Sequence, residues 1–247
     1  MLDSSGVVLA GATGRVGGLT LQTLLNAGAR VLLVSRTEAR AREAIDAFAP
    51  AGARERCFVQ SADLTHAEDG ERVAQAALER FGRIDAVVSL AGAGYRFVAL
   101  ADSTLEDLRK SVVGQLEVAY NLMVPALRAM LEQPFLAGAR SRGRLVQVTA
   151  GSSRQPQPTF ALMGAAKAGV NILMLGIARE HKADGIVANA LVLGGVATEA
   201  ARNYLSPEDF AAAVQPQEVA DALTFLASDA ASGINGALVD VNAREVD

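Results

Sequence analysis

The sequence predicts an α/β domain built on a doubly wound parallel sheet of about seven strands with helices on both faces, one domain over residues 1–247. Three observations predict it. Short apolar runs recur at regular intervals with helix-like segments between them, the pattern of a parallel sheet covered on both sides. The chain is 51% hydrophobic, with 23 Gly and seven Pro, long enough to bury one large core and free of repeats or linkers. Its first thirty-five residues read as strand, glycine turn, helix and strand, the opening unit of a Rossmann fold.

The strands are expected at Val7–Ala10, Val31–Ser35, Arg56–Gln60, Ala86–Leu90, Leu145–Thr149, Ile186–Val192 and Ala237–Val241. Helices are expected near Arg15–Asn26, Glu38–Phe48, Ala67–Phe81, Thr104–Leu131, Thr159–His181 and Gln217–Leu226. Gly28 is placed to close the first helix, and Ser103 followed by Glu106 reads as a capping box for the fourth. Two helices lack a polar face: Val112–Leu131 carries only Glu117 and Arg128 as charges, and Ala165–Ala178 only Lys167. The sheet covers one side of each. The other side is expected to be buried against a second subunit, giving a homodimer or homotetramer through the helices near 104–131 and 159–181; deep burial within the monomer is the alternative.

The glycine turn is Gly11-Ala12-Thr13-Gly14-Arg15-Val16-Gly17-Gly18. Glycines at Gly11, Gly14 and Gly17 permit in turn a tight bend, a close approach of backbone to a pyrophosphate, and tight packing of helix on strand, while the helix N-terminus offers unpaired N–H groups to an anion. The segment from Gly11 through Thr13, Gly14, Arg15 and Val16 to Gly17 is therefore the expected phosphate loop, set against a purely structural glycine turn.

Composition excludes other classes. A net charge of −4, no Trp, three Tyr and no long basic run argue against a nucleic-acid surface. One cysteine, Cys57, excludes an internal disulfide, and two separated histidines, His66 and His181, leave no metal cluster. The start has no basic leader, and no uncharged apolar run reaches the ~18 residues of a spanning helix. The expectation is a cytoplasmic protein with no membrane partner.

Over essentially its whole length the chain resembles the short-chain dehydrogenase/reductase (SDR) family, and the markers occur in order. Asp63, followed by Leu64, matches the family's Asp after the third strand, which implies contact with the adenine. Ser89-Leu90-Ala91-Gly92 stands where the family has Asn-Asn-Ala-Gly, and Ala91 and Gly92 keep the small pair that lets the cofactor lie against the strand end. Lys167, in Met163-Gly164-Ala165-Ala166-Lys167, matches the active-site lysine. Asn189, Leu193-Gly194 and Thr198 stand where the family has Asn, Pro-Gly and a Thr at the nicotinamide end, and the usual closing glycine pair is Ala243-Arg244. The glycine spacing is closer to extended and atypical members, among them NmrA-like proteins, some of which sense redox cofactors without reducing anything.

A carboxylate at the end of the second strand would hold the 2′-hydroxyl of NAD and repel a 2′-phosphate. That position is Ser35, followed by Arg36, with Arg15 and Arg40 near enough in such a fold to contribute. The expected cofactor is NADP(H) rather than NAD(H), against the alternative that these arginines are ordinary solvated charges.

The resemblance also implies a tetrad: a tyrosine that donates a proton to the substrate oxygen, a lysine, a serine and an asparagine. By position the tyrosine is Met163, the serine Ala150 and the asparagine Gln115, so only Lys167 is retained. A branch with a shifted tyrosine would place it at Phe160, again without a hydroxyl. Phe160 and Met163 read as apolar wall or core, against a purpose-built apolar pocket. Replacement proton donors are sought at Tyr95, Ser152, Ser153 and Tyr204, each otherwise a surface hydroxyl. The expected function is a dinucleotide-binding protein with impaired or lost carbonyl reduction. The alternative is an active NADPH-dependent reductase of an unknown apolar carbonyl or enone.

Overall fold

In a computed structural model, described over residues 2–93, 96–136, 138–203 and 205–242, the apolar runs form seven strands. They are β1 (Gly6–Ala10), β2 (Arg30–Ser35), β3 (Cys57–Ser61), β4 (Ala86–Ser89), β5 (Gly143–Ala150), β6 (Ile186–Leu193) and β7 (Leu238–Val241). All pair in parallel in one sheet of order β3-β2-β1-β4-β5-β6-β7. Every residue of β1 is buried, because the strand is central and helices cover both faces. Chain direction across the sheet reverses between β1 and β4, which opens a crevice at their carboxyl ends.

Among the described residues eight α-helices accompany the sheet: α1 (Arg15–Asn26), α2 (Glu38–Phe48), α3 (Ala67–Phe81), α4 (Leu105–Ser111), α5 (Val118–Glu132), α6 (Ala161–Glu180), α7 (Pro207–Ala212) and α8 (Pro216–Leu226). Successive strand residues point to opposite faces and so feed two cores. Val8, Val87 and Leu145 pack with Val73 of α3, Leu122 of α5 and Met174 of α6. Val7, Val88 and Val146 pack with Leu21 of α1, Ala41 of α2 and Leu223 of α8. Gly28 closes α1 in the left-handed region, at φ 96°, a conformation glycine adopts without penalty.

Three expectations are corrected. The helix over 104–131 is not uniform: between α4 and α5 the turn Val112–Glu117 is a π-helix. The cap of α4 is one residue later than expected. Thr104 Oγ1 accepts from Asp107 N–H at 3.1 Å and Asp107 Oδ2 accepts from Thr104 N–H at 2.9 Å, while Ser103 Oγ is spent on Leu100 O at 2.7 Å. The short α7, which opens on Ser206 and Pro207, was not expected, since six residues are too few to show a period.

Pro125 lies inside α5 and has no N–H for the carbonyl of Asn121. That carbonyl faces Gly70 of α3, where a Cβ would stand 1.7 Å from it. A glycine is thus required for α3 to cover α5, and this apolar helix is largely buried within the monomer. The outer side of α6 is different. The helix as a whole is long and apolar enough to cross a membrane by length and composition, and about half of it is buried. Its Ile172 is 68% exposed.

Candidate nucleotide and active site

At the β1–α1 turn the three glycines have separate reasons. Gly11 has φ 89°, and a Cβ there would stand 2.9 Å from Ala91 N. At Gly17 a Cβ would stand 2.1 Å from Gly11 O, so only glycine lets α1 rest on the loop. At Gly14 a Cβ would meet nothing within 4 Å; the space before the helix start is open. Gly14 is the cap of α1, no side chain caps its N–H groups, and no acidic residue lies in the first turn. Free N–H donors facing open space suit a phosphate.

Beside this turn lies a cleft of about 280 Å³, which brings together Gly11, Thr13, Ser35, Arg36, Asp63, Leu64, Ala91 and Gly92. Arg40 joins Arg36 on the rim, and neither has a carboxylate partner among the described residues. Arg15 is turned away from them, with its guanidinium 5.9 Å over the Phe48 ring, while Val16 is half-buried at the start of α1. Asp63 Oδ1 accepts from Thr65 Oγ1 at 2.8 Å and Thr65 N–H at 3.1 Å. These bonds, with the charges of His66 and Arg36 further off, hold its carboxyl below the usual range. Thr65, Gly114 and Val118 also line the cleft. Sequence reading missed all three; the Asp-Leu-Thr turn at 63–65 was a legible signal for the first, whereas the π-turn that carries Gly114 and leads into Val118 left none.

The same π-turn grips the loop after β4. Gly114 O accepts from Ala93 N–H at 3.0 Å, and Gln115 Nε2 donates to Ala93 O at 2.8 Å. Gln115 Oε1 is buried with no partner, and a Cβ at Gly92 would stand 2.5 Å from it. Gln115 therefore ties that loop to the helix. π-turns inside helices often mark functional sites.

Lys167, on α6, is buried outside the cleft, with Nζ donating to Val148 O at 3.0 Å. Burial alone pushes its pKa down to about 8. Ala150 ends β5, and the turn Gly151–Ser153 follows. Against expectation Ser152 is not a surface hydroxyl: its Oγ is buried with no partner. Ser153 Oγ accepts from Asn171 Nδ2 at 2.8 Å. The Ser152 carbonyl presses on α6 at Gly164, where a Cβ would stand 2.4 Å from it. Met163 is half-buried in the first turn of α6. Tyr95 and Tyr204 lie outside the described residues, as do Ala243 and Arg244.

After β6, Gly194 N–H donates to Val241 O at 3.0 Å, and half-buried Thr198 begins a turn whose first bond runs from its N–H to Val196 O at 2.7 Å. Neither lines the cleft. Asn189 is structural, taking Ala237 N–H at 2.9 Å and donating to Ile234 O at 2.6 Å. His66 and His181 sit at helix ends, and His181 Nδ1 is 3.0 Å from Asp184 Oδ2. Among the described residues no group of three metal-ligating side chains occurs.

A family model described as Enoyl-(Acyl carrier protein) reductase matches residues 11–243. A 1,6-dihydroxycyclohexa-2,4-diene-1-carboxylate dehydrogenase from Pseudomonas putida is 31% identical over 95% of this chain and 90% of that protein. A 3-oxoacyl-[acyl-carrier-protein] reductase from Synechocystis sp. is 28% identical over 98% of this chain and 96% of its own length. In fold, the chain is similar to a 3-ketoacyl-(acyl-carrier-protein) reductase from Brucella melitensis solved with NADH. The TM-score is 0.87 at 22% identity, covering 98% of both chains. The glycine turn, the strand order and these matches together place the chain in the short-chain dehydrogenase/reductase family, with the oxidoreductase fold of that family.

Proposed function

We propose that this protein binds NADP(H) and that its standard carbonyl reduction is impaired or lost, so that it acts as a cofactor-sensing or structural subunit. In this reading the pyrophosphate lies on the α1 N-terminus, the adenine against Asp63 and Leu64, and the 2′-phosphate against Arg36 and Arg40. Lys167 takes the ribose. The observation that carries the reading is a contrast within one site: the phosphate turn keeps every glycine it needs, while Met163 and Ala150 offer no donor to a substrate oxygen. A bound nicotinamide supplies a hydride. Without a positioned acid, reduction of a carbonyl forfeits roughly 10²- to 10⁴-fold.

A second reading, an active NADPH-dependent reductase of an apolar carbonyl or enone, is favoured by the buried, partnerless hydroxyl of Ser152. Fluorescence titration with NADPH and NADH, followed by NADPH oxidation over ketones, aldehydes and enones, decides between them. NADPH is expected to bind tighter by about tenfold, some 1.4 kcal/mol, with no turnover at ordinary enzyme rates. Such turnover would replace the first reading by the second, and absence of binding by both nucleotides would remove both. In either reading a second copy covers α6 at Ile172, whose exposure supports a dimer measurable by light scattering.

A further inference from the structure

At the amino ends of β6 and β7, the ends of the strands opposite those that form the nucleotide cleft, a cavity of about 410 Å³ opens between the close of α6 and the turn that leads into β7. It is lined by three cations, Arg140, Arg179 and Lys182, and by no carboxylate. None of the three has a carboxylate partner among the described residues. Two carboxylates belong to the same stretch of chain, and both are turned to other neighbours. Asp184 Oδ2 lies 3.0 Å from His181 Nδ1, and Glu180 lies back along α6, with Oε1 3.9 Å from where a Cβ on Gly176 would stand. In a chain of net charge −4 the cavity is a local reversal of sign.

Arg179 and Lys182 alone would suit the C-terminal end of a helix, whose carbonyls attract cations. Arg140 has no such reason to be there. It comes from the separate segment before β5, which Arg142 N–H ties to Gly185 O at 2.7 Å. The residues before β7 supply another wall, and Asn235 holds it to β6: its Oδ1 accepts from Ala188 N–H at 3.0 Å and its Nδ2 donates to Ile186 O at 3.1 Å. On that wall the N–H groups of Gly233 and Asn235 donate to nothing among the described residues, and a Cβ at Gly233 would meet nothing within 4 Å. Unpaired cations from two segments and unused backbone donors thus line one cavity. We propose that it binds a small polyphosphate anion. A single phosphate group carries at most about −2 at pH 7, so three cations match two or three linked phosphates, with the arginine forks on the oxygens. This site is separate from the nucleotide cleft and does not rest on the reading above.

Isothermal titration calorimetry with inorganic triphosphate, on the full chain without nucleotide, tests the site. Saturable binding of one triphosphate per chain is expected. Arg140→Ala or Arg179→Ala should weaken it roughly 10-fold, and combining both with Lys182→Ala should abolish it. All three side chains are exposed, so the alanine variants leave the core intact. Arg140→Lys keeps the charge without the planar fork and should still weaken binding several-fold. Because a triphosphate also suits the nucleotide cleft, Arg36→Ala combined with Arg40→Ala is run beside these variants and should keep triphosphate affinity within about twofold. No binding by the wild type, binding retained in the triple variant, or binding lost in the Arg36 and Arg40 variant overturns the site. So does full affinity in Arg140→Lys, which would reduce the cluster to a diffuse positive field.

Discussion

At the β1–α1 turn a side chain on residue 17 would collide with Gly11 O at 2.1 Å, whereas at the β5–α6 end Ala150 and Met163 stand at the positions where the family resemblance places a serine and a tyrosine. The first region is fixed by backbone sterics: a strand, a helix and a loop must touch, and only glycine lets them. The second is fixed by chemistry alone, since hydroxyls there serve a substrate and not the fold. A chain can therefore lose its donors while keeping its dinucleotide crevice. What binds and what reacts are held by different forces, and the difference can be probed from both sides.

The largest effect is expected at the chemistry end. Met163→Tyr combined with Ala150→Ser should raise NADPH-dependent carbonyl reduction by roughly 10²- to 10⁴-fold if only the donor groups are missing, read as kcat/KM on a ketone panel. No gain with nucleotide binding intact would show that the pocket has diverged as well. At the binding end, Gly17→Ala should cost about 3 kcal/mol in denaturant unfolding, because backbone on both sides has no room to give.

Lys167, on α6 with its Nζ on Val148 O of β5, carries a pH signature in its burial. Its pKa of about 8 in the folded chain is below the unfolded value of 10.5, so between these values the unfolded chain binds the extra proton. Stability should rise with pH over that window, by up to about 3 kcal/mol, and Lys167→Met should flatten the rise. Equal slopes for the two proteins would mean that the ammonium is solvated.

The smallest effect sharpens the comparison most. Gly14 has ordinary φ and open space before it, so Gly14→Ala should leave nucleotide-free stability within about 0.5 kcal/mol while weakening NADPH several-fold. Equal losses in stability at positions 14 and 17 would erase the distinction between a glycine kept for a ligand and one kept for the fold.

Much of the fold was legible because its signals are periodic and local. The strands fall within one or two residues of expectation, and α1 and α2 match it at both ends. The cap of α4 was misplaced because Ser103 and Thr104 both satisfy the same spacing rule, and only the turn at Leu100 decides which is free. The π-turn had no legible cause in sequence: Val112 to Glu117 contains neither proline nor a glycine pair. Within the site, the glycine turn and Arg36 were readable as backbone and charge demands. Thr65 was within reach of the local Asp-Leu-Thr turn, whereas the contribution of Gly114 and the burial of the Ser152 hydroxyl depend on contacts between segments distant in the chain, which no local pattern encodes.

The wide turn between α4 and α5 also acts as a phase shift. One extra residue in a helix rotates everything before it by about 100° relative to everything after. Leu105 and Leu108, exposed at 60% and 37%, face outward on one side of that shift. Asn121 and Leu122, on the other, face the protein interior. Deleting a single residue from Val112–Glu117 would bring the two halves into phase, and would move Gly114 and Gln115 off Ala93 at the same stroke. The outward helix face and the floor of the crevice are thus set by one count of residues.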